Sequence, residues 1–231
     1  AGARERDLAE TTAKDALIEQ RTLRPMDRHT KLIKERFRGA PEPRSGDGQL
    51  DLAVANYDAH VVSVLAGNGD GTFGAKATHP LGGGPTAVAV GDLNGDGHPD
   101  LAAAQGAGVS VWLNDAAGGF GPRYDYANGG TCAAVDIGDL DGDGAADLVL
   151  ANAGTNTVSV LRGNGDGTFG PRTDFGAGNH PTSVAISDLT GDGNLDLAVA
   201  NCESGSASIL VNTGGVAWAP WTGVPPVVPP T

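Results

Sequence analysis

The feature that most narrows the possible folds is an internal repeat. "TAVAVGDLNGDGHPDLAAAQ" (86–105), "AAVDIGDLDGDGAADLVLAN" (133–152) and "TSVAISDLTGDGNLDLAVAN" (182–201) align without gaps from the first loop Asp onward. A shorter copy, "SGDGQLDLAVAN" (45–56), keeps only the later half. Asp51, Asp100, Asp147 and Asp196 follow one another at intervals of 49, 47 and 49 residues. A second element comes behind each: "VVSVLAGNGDGTFG" (61–74), "GVSVWLNDAAGGFG" (108–121), "TVSVLRGNGDGTFG" (157–170) and "SASILVNTGGVAWA" (206–219). A period of about 48 residues points to a propeller or a solenoid, in which a unit buries its apolar faces only against its neighbours.

Four short strand candidates fit into each repeat. In the third copy they are 133–138, 147–152, 157–162 and 168–174. Four strands per unit with tight turns is the arithmetic of a propeller blade. The expected fold is therefore all-β: about four blades, with a helical extension at the N-terminus. Runs such as "AVAV" and "DLAVA" are apolar or small at both alternations, so both faces should be covered. Trp112 aligns with Leu65, Leu161 and Leu210, and Trp218 with Phe73, Phe120 and Phe169. These positions read as core or blade packing rather than ligand stacking. Trp221 lies past the last repeat and receives no assignment.

Composition agrees. The 37 glycines among 231 residues, with only 5% aromatic residues, argue against a helical bundle and for many tight turns. A net charge of -13 makes nucleic acid or an anionic membrane surface an unsuitable partner. No apolar run is long enough to span a bilayer. The N-terminus is charged from Arg4 onward, without a signal-peptide hydrophobic region, and the chain begins without Met, as a processed product or a piece of something longer would.

The charge divides the chain. Residues 1–44 hold 11 of the 15 Lys and Arg against 8 acids. They read as a charged helical or disordered extension. "LAETTAKDALIEQRTL" is weakly amphipathic, and "MDRHTKLIKERF" follows Pro25 as a second short helix. Residues 45–219 carry the repeats, and 220–231 form a Pro-rich tail. From residue 45 onward there are 4 basic residues against 20 acids, of which 19 are Asp and one is Glu203. Short carboxylates held close to a turning backbone explain that bias better than a solubilising surface does.

Those carboxylates sit in loops of the form D-x-[D/N/T]-x-D-G-x-x-D. Two unit charges about 4 Å apart repel by roughly 1 kcal/mol in water and roughly 4 kcal/mol near a protein surface. Such crowding calls for a countercharge. The side chains concerned are Asp92, Asn94, Asp96 and Asp100 in the second copy, Asp139, Asp141, Asp143 and Asp147 in the third, and Asp188, Thr190, Asp192 and Asp196 in the fourth. The carbonyl at position 7, from His98, Ala145 or Asn194, would join them. Oxygens at positions 1, 3, 5, 7 and 9, with Gly at position 6 for a left-handed turn, suit Ca²⁺, which takes six to eight oxygens in flexible geometry. Mg²⁺ demands a tighter octahedron, and no site gathers the His and Cys that zinc favours.

About three calcium sites are expected. They are not EF-hands, because position 12 is Ala103, Leu150 or Val199 inside a β pattern instead of a bidentate Glu. The first copy aligns Pro43, Ser45, Asp47 and Asp51, a poor donor set. The "GNGDGTFG" stretches (67–74 and 163–170) lack the closing Asp and read as hairpin turns.

"VAVGDLNGDGHPDLA" followed by "VSVLRGNGDGTFG" resembles the FG-GAP/VCBS repeat of integrin-α-type propellers and of many bacterial secreted proteins. The FG pairs stand at Phe73-Gly74, Phe120-Gly121 and Phe169-Gly170, and a GP or HP element at Gly84-Pro85 and His180-Pro181, with Thr131-Cys132 in the third copy. The resemblance spans roughly 45–219. It implies a calcium-stabilised propeller, typically seven-bladed, that serves as an extracellular binding platform. Three full repeats and one lacking its inner strand suggest an arc, completed by further repeats or another chain, more than a closed four-bladed ring.

The sequence offers no nucleophile elbow, and its five histidines form no metal spacing. The expected function is thus a non-enzymatic module for adhesion or for binding an extracellular protein or glycan. Two alternatives stand beside it: an accessory or catalytic part of a calcium-dependent polysaccharide-degrading enzyme, and a purely structural spacer. Extracellular calcium modules bind at roughly 10⁻⁴–10⁻³ M, which places the protein outside the cell or on its surface. For the two cysteines, a Cys132–Cys202 disulfide and two free buried thiols both remain open.

Overall fold

The alternating apolar residues of the repeats become β-strands. The computed structural model describes residues 31–35, 51–106, 108–115, 119–214 and 218–220. Among these residues there is no helix, and the strands assemble into four sheets of four, each an antiparallel meander. The first sheet comprises β1 (Lys31–Glu35), β2 (Asp51–Asn56), β3 (Val61–Gly67) and β4 (Phe73–Pro80). The second comprises β5 (Pro85–Gly91), β6 (Asp100–Gln105), β7 (Gly108–Trp112) and β8 (Tyr124–Ala127). In the third are β9 (Cys132–Gly138), β10 (Asp147–Asn152), β11 (Thr157–Leu161) and β12 (Thr173–Gly176). The fourth holds β13 (Pro181–Ser187), β14 (Asp196–Asn201), β15 (Ser206–Asn212) and β16 (Trp218–Pro220).

Two local expectations are corrected. Lys31–Glu35, inside the segment read as a second short helix, is a strand paired antiparallel with β2, from Lys31 opposite Ala55 to Glu35 opposite Asp51. It supplies the first strand that the shortened copy lacked. The backbone of the otherwise unpaired edge of β2 needs hydrogen-bond partners, and that tertiary demand overrides a weak helical pattern. In the third sheet the last strand begins at Thr173 instead of residue 168. Phe169 contributes only an isolated bridge to Gly163, because the preceding turn uses the residues between. The remainder of the 1–44 extension and residues 221–231 lie outside the described residues.

Side-chain alternation then decides how the sheets stack. On β6, Leu101 and Ala103 turn toward the first sheet, where they meet Ala53, Ala55 and Val62. Their neighbours Ala102 and Ala104 turn the other way, against Leu148 and Leu150 of β10. Val149 and Ala151 of β10 face Leu197 and Val199 of β14 in turn. Each interface thus sets a face that carries Leu against a face of Ala and Val, so bulkier and smaller side chains interdigitate at close range. Hydrogen bonds also cross between sheets. Thr86 Oγ1 donates to the Cys132 carbonyl at 2.8 Å, and Ile186 N–H to Asp136 Oδ2 at 3.1 Å.

The aromatic residues seal the outer parts of these interfaces, as their alignment suggested. Tyr126 of β8 meets Phe169 edge-on at 5.3 Å between centroids, and His79 of β4 meets Phe120 edge-on at 4.9 Å. Trp112 is buried beside His79. Phe73, the matching residue of the first sheet, is 38% exposed, against 9% for Phe169.

Candidate metal centre

Each acidic loop joins the first strand of a sheet to the second, and its conformation follows from its glycines. Gly97, Gly144 and Gly193 at position 6 adopt φ of 83°, 90° and 89°, the left-handed turn the pattern required. Position 4 does the same at Gly95, Gly142 and Gly191, a second requirement that the repeated GDG spelling carried. The two turns fold the loop around its first carboxylate. Asp92 accepts the N–H groups of Gly95 and Gly97 at 2.7 and 2.8 Å. Asp139 accepts those of Gly142 and Gly144 at 2.8 and 3.0 Å, and Asp188 those of Gly191 and Gly193 at 2.6 and 3.0 Å.

Position 5 is more open. Asp96, Asp143 and Asp192 are exposed, and each accepts the N–H of position 7 (His98, Ala145 or Asn194) at 2.7 to 2.9 Å. In the second loop the Asn94 amide donates to Asp96 at 2.9 Å.

The closing aspartate does more than the sequence revealed. Asp100, Asp147 and Asp196 are all but fully buried. One oxygen of each accepts the N–H of position 2 (Leu93, Leu140 or Leu189) at 2.8 to 2.9 Å. The other accepts the N–H of Asn114, Gly163 or Asn212, at the far end of the third strand, at 2.7 to 2.8 Å. The carboxylate therefore ties loop, second strand and third strand together. Asp51 repeats the strut in the first sheet through Gly67 N–H at 2.8 Å, although that copy lacks the other donors.

Of the three loops, the third gathers its acids most tightly. Oxygens of Asp139, Asp141 and Asp147 lie within 4.8 Å of one another, the one such group of His, Cys, Asp or Glu among the described residues. Asp139 and Asp141 are half-buried, whereas Asp188 and Thr190 of the fourth loop are exposed. Arg162, which follows β11, reaches Asp141 at 3.0 Å. The crowding registers as proton affinity. Burial pushes the Asp147 carboxyl above its ordinary range, the N–H groups of Gly163 and Leu140 oppose the rise, and Asp141 and Asp143 add to it. Burial pushes Asp100 up to about 6, held back by the N–H groups of Asn114 and Leu93 and raised further by Asp96 and Asp92. An all-oxygen, net-negative donor set of this kind fits a hard divalent cation.

The "GNGDGTFG" turns are hairpins, as expected. Asn164 N–H donates to the Thr168 carbonyl at 2.9 Å, and Thr168 Oγ1 and N–H both donate to Asp166. Asn68, Thr72 and Asp70 repeat the arrangement. The hydrogen bonds from Thr168 and Thr72 hold the Asp166 and Asp70 carboxyls below their usual range. Between the second and third loops opens a polar cleft of about 580 Å³, lined by Asp92, Gly95, Asp139, Asp143, Asn164 and Gly165. The cysteines are not bonded. Cys132 is buried, which raises its thiol to about 12, and Cys202 is exposed instead of buried.

Known proteins repeat this organisation. No curated protein matches the chain. Among solved structures, an Agrocybe aegerita lectin that recognises non-reducing terminal N-acetylglucosamine is 30% identical, with a TM-score of 0.53 over 74% of this chain and 47% of its own. The BBS1N chain from its complex with ARL6DN is 19% identical, with a TM-score of 0.55 over 75% of this chain and 52% of its own, and shows likeness of fold alone. The chain thus spans about half the length of either. The FG-GAP-like repeat family matches residues 45–103, 92–150 and 139–199, each match running from one acidic loop through the next. By those three overlapping matches, the chain belongs to the FG-GAP-like repeat family.

Proposed function

We propose that the protein is a calcium-clasped, non-enzymatic binding module whose four sheets are blades of a β-propeller, and that it binds extracellular glycans. The observation that carries the calcium reading is the convergence of Asp139, Asp141 and Asp147 within 4.8 Å on a loop shaped by two left-handed glycines. Asp143 and the Ala145 carbonyl complete the third donor set. Asp92, Asn94, Asp96, Asp100 and the His98 carbonyl form the second. Asp188, Thr190, Asp192, Asp196 and the Asn194 carbonyl form the fourth. A bound calcium ion supplies positive charge that offsets the repulsion among these oxygens. The closing aspartates transmit that effect to the sheet, because each sits on the second strand and accepts hydrogen bonds from the loop and from the end of the third.

The glycan reading rests on the 30% identity with a lectin and on the cleft between two of the loops. Asp92, Asp139 and Asp143 line that cleft and also belong to the donor sets, so an ion that fixes the loops fixes the cleft wall as well. A module that binds at the weak calcium affinities of extracellular domains is secreted or held at the cell surface. The test is an array of glycans, including chains that end in non-reducing N-acetylglucosamine, probed with and without a calcium chelator. Calcium-dependent capture of a glycan is expected. Failure to bind any glycan in either condition contradicts the reading.

A further inference from the structure

Position 3 is where the three acidic loops differ. In the second loop the Asn94 amide donates to Asp96 at 2.9 Å, and in the fourth the Thr190 hydroxyl hydrogen-bonds Asp192. Each neutral side chain thus serves the carboxylate two residues on. Asp141 of the third loop cannot do the same, because an ionised carboxylate has no proton to donate. It adds a fourth negative charge instead, beside Asp139, Asp143 and Asp147. The donor arrives from outside the loop: the Arg162 guanidinium reaches Asp141 Oδ2 at 3.0 Å. The Asp141 side chain is only 15% exposed, so solvent screens this pair less than one on the open surface.

The placement of Arg162 is particular to that loop. From residue 45 onward the chain has 4 basic residues. Lys76, Arg123 and Arg172 share one repeat position, two residues before the strand partners of Ser63, Ser110 and Ser159. Arg162 breaks that pattern. It directly precedes Gly163, whose N–H holds Asp147, and the matching residues of the other copies are Ala66, Leu113 and Val211. The loop with an acid at position 3 is therefore the loop with a cation beside it. The guanidinium returns the third cluster to the net charge of the second and fourth. We propose that Arg162 is a resident countercharge of the third loop, which holds Asp141 when no ion is bound and weakens the loop's grip on a divalent cation. The second half of this inference rests on the calcium reading, and the first half does not. One positive charge here relieves the repulsion among the carboxylates, and the same charge repels an incoming cation. The third loop thereby gives up affinity and keeps its shape without an ion.

The test compares the full chain with Arg162→Gln and Arg162→Lys, each with and without Asp141→Asn. In excess chelator at low salt, Arg162→Gln should lower Tm by about 2 °C or more. That loss should shrink in about 1 M NaCl, where the screening length falls to about 3 Å. Arg162→Lys should recover most of it, and on the Asp141→Asn background Arg162→Gln should change Tm little. An unchanged Tm, or an equal loss with and without Asp141, overturns the first half and leaves Arg162 no more than a packing residue. In calorimetric titrations with Ca²⁺, Arg162→Gln should tighten one site by about threefold or more. Adding Asp141→Asn should return that site toward its original affinity. Unchanged or weakened binding in Arg162→Gln overturns the second half while the calcium reading stands. If no protein of the series binds calcium, that reading and the second half fall together, and the melts in chelator still decide the first.

Discussion

The third and fourth sheets are built from nearly the same sentence of sequence, yet their burial differs sharply. Every residue of β10, from Asp147 to Asn152, is buried. In β14 the alternate residues Ala198 and Ala200 open to solvent, although Leu197 and Val199 remain covered. Among the described residues the difference lies in the neighbours: the third sheet packs against one on each side, and the fourth against one. In a stacked repeat fold, then, stability resides in the interfaces between units more than within any unit. The acidic loops show a parallel contrast. The third loop has a carboxylate at every odd position except 7, two of them half-buried, while the fourth has Thr190 in place of an acid and lies exposed.

On the proposed calcium reading, the largest expected effect comes from removing the ion, because that strikes both sheets at once. At a concentration a hundredfold above its dissociation constant, one bound ion contributes about 2.7 kcal/mol. A chelator should therefore lower Tm by many degrees in a thermal melt, and indifference to chelation would make the loops ordinary turns. Next in size is a core truncation that separates the two sheets. Leu150→Ala, between the second and third sheets, should cost about 2–5 kcal/mol in urea unfolding, whereas Leu189→Ala on the free face should cost less than about 0.5 kcal/mol. Equal costs would mean that the fourth sheet is covered after all.

Within the loops, Asp143→Asn should weaken calcium binding to the third loop, measured by calorimetry, more than Asp125→Asn does. Asp125 lies outside every loop and is held by Ser110 and Arg123 instead. The smallest effect belongs to His79. Burial against Trp112 and Phe120 lowers its imidazole pKa from the ordinary 6.5, and its Nε2 has no hydrogen-bond partner. The neutral ring is the one the fold prefers. Its stabilising share is complete above the unfolded value of 6.5 and is lost as pH falls from there through the folded value. His79→Phe, which copies the matching Phe175, should flatten the dependence of Tm on pH in that window.

Much of this was legible in the sequence because a repeat reports itself several times. The second, third and fourth copies show the strands, the turns and the runs that are apolar or small at both alternations. One copy alone would have left Ala-rich runs such as "DLAAAQ" ambiguous between strand and helix. β1 was hidden because it lies 15 residues before β2 and shares no spelling with the other first strands. Only the pairing edge of β2 identifies it. The acidic loops and their left-handed glycine at position 6 were legible, but the strut role of Asp100, Asp147 and Asp196 was not. Their partners, Asn114, Gly163 and Asn212, sit 14 or 16 residues downstream. Spacing within the loop carries no trace of that bond. Phe73 reads as a packing position by alignment and is exposed, because burial there depends on a neighbouring sheet.

The most direct test of the calcium account is a calorimetric titration of the protein with Ca²⁺, repeated on Asp143→Asn. The account predicts binding to three loops, falling to two in the variant. Absence of any saturable heat, or a stoichiometry untouched by the substitution, would contradict it.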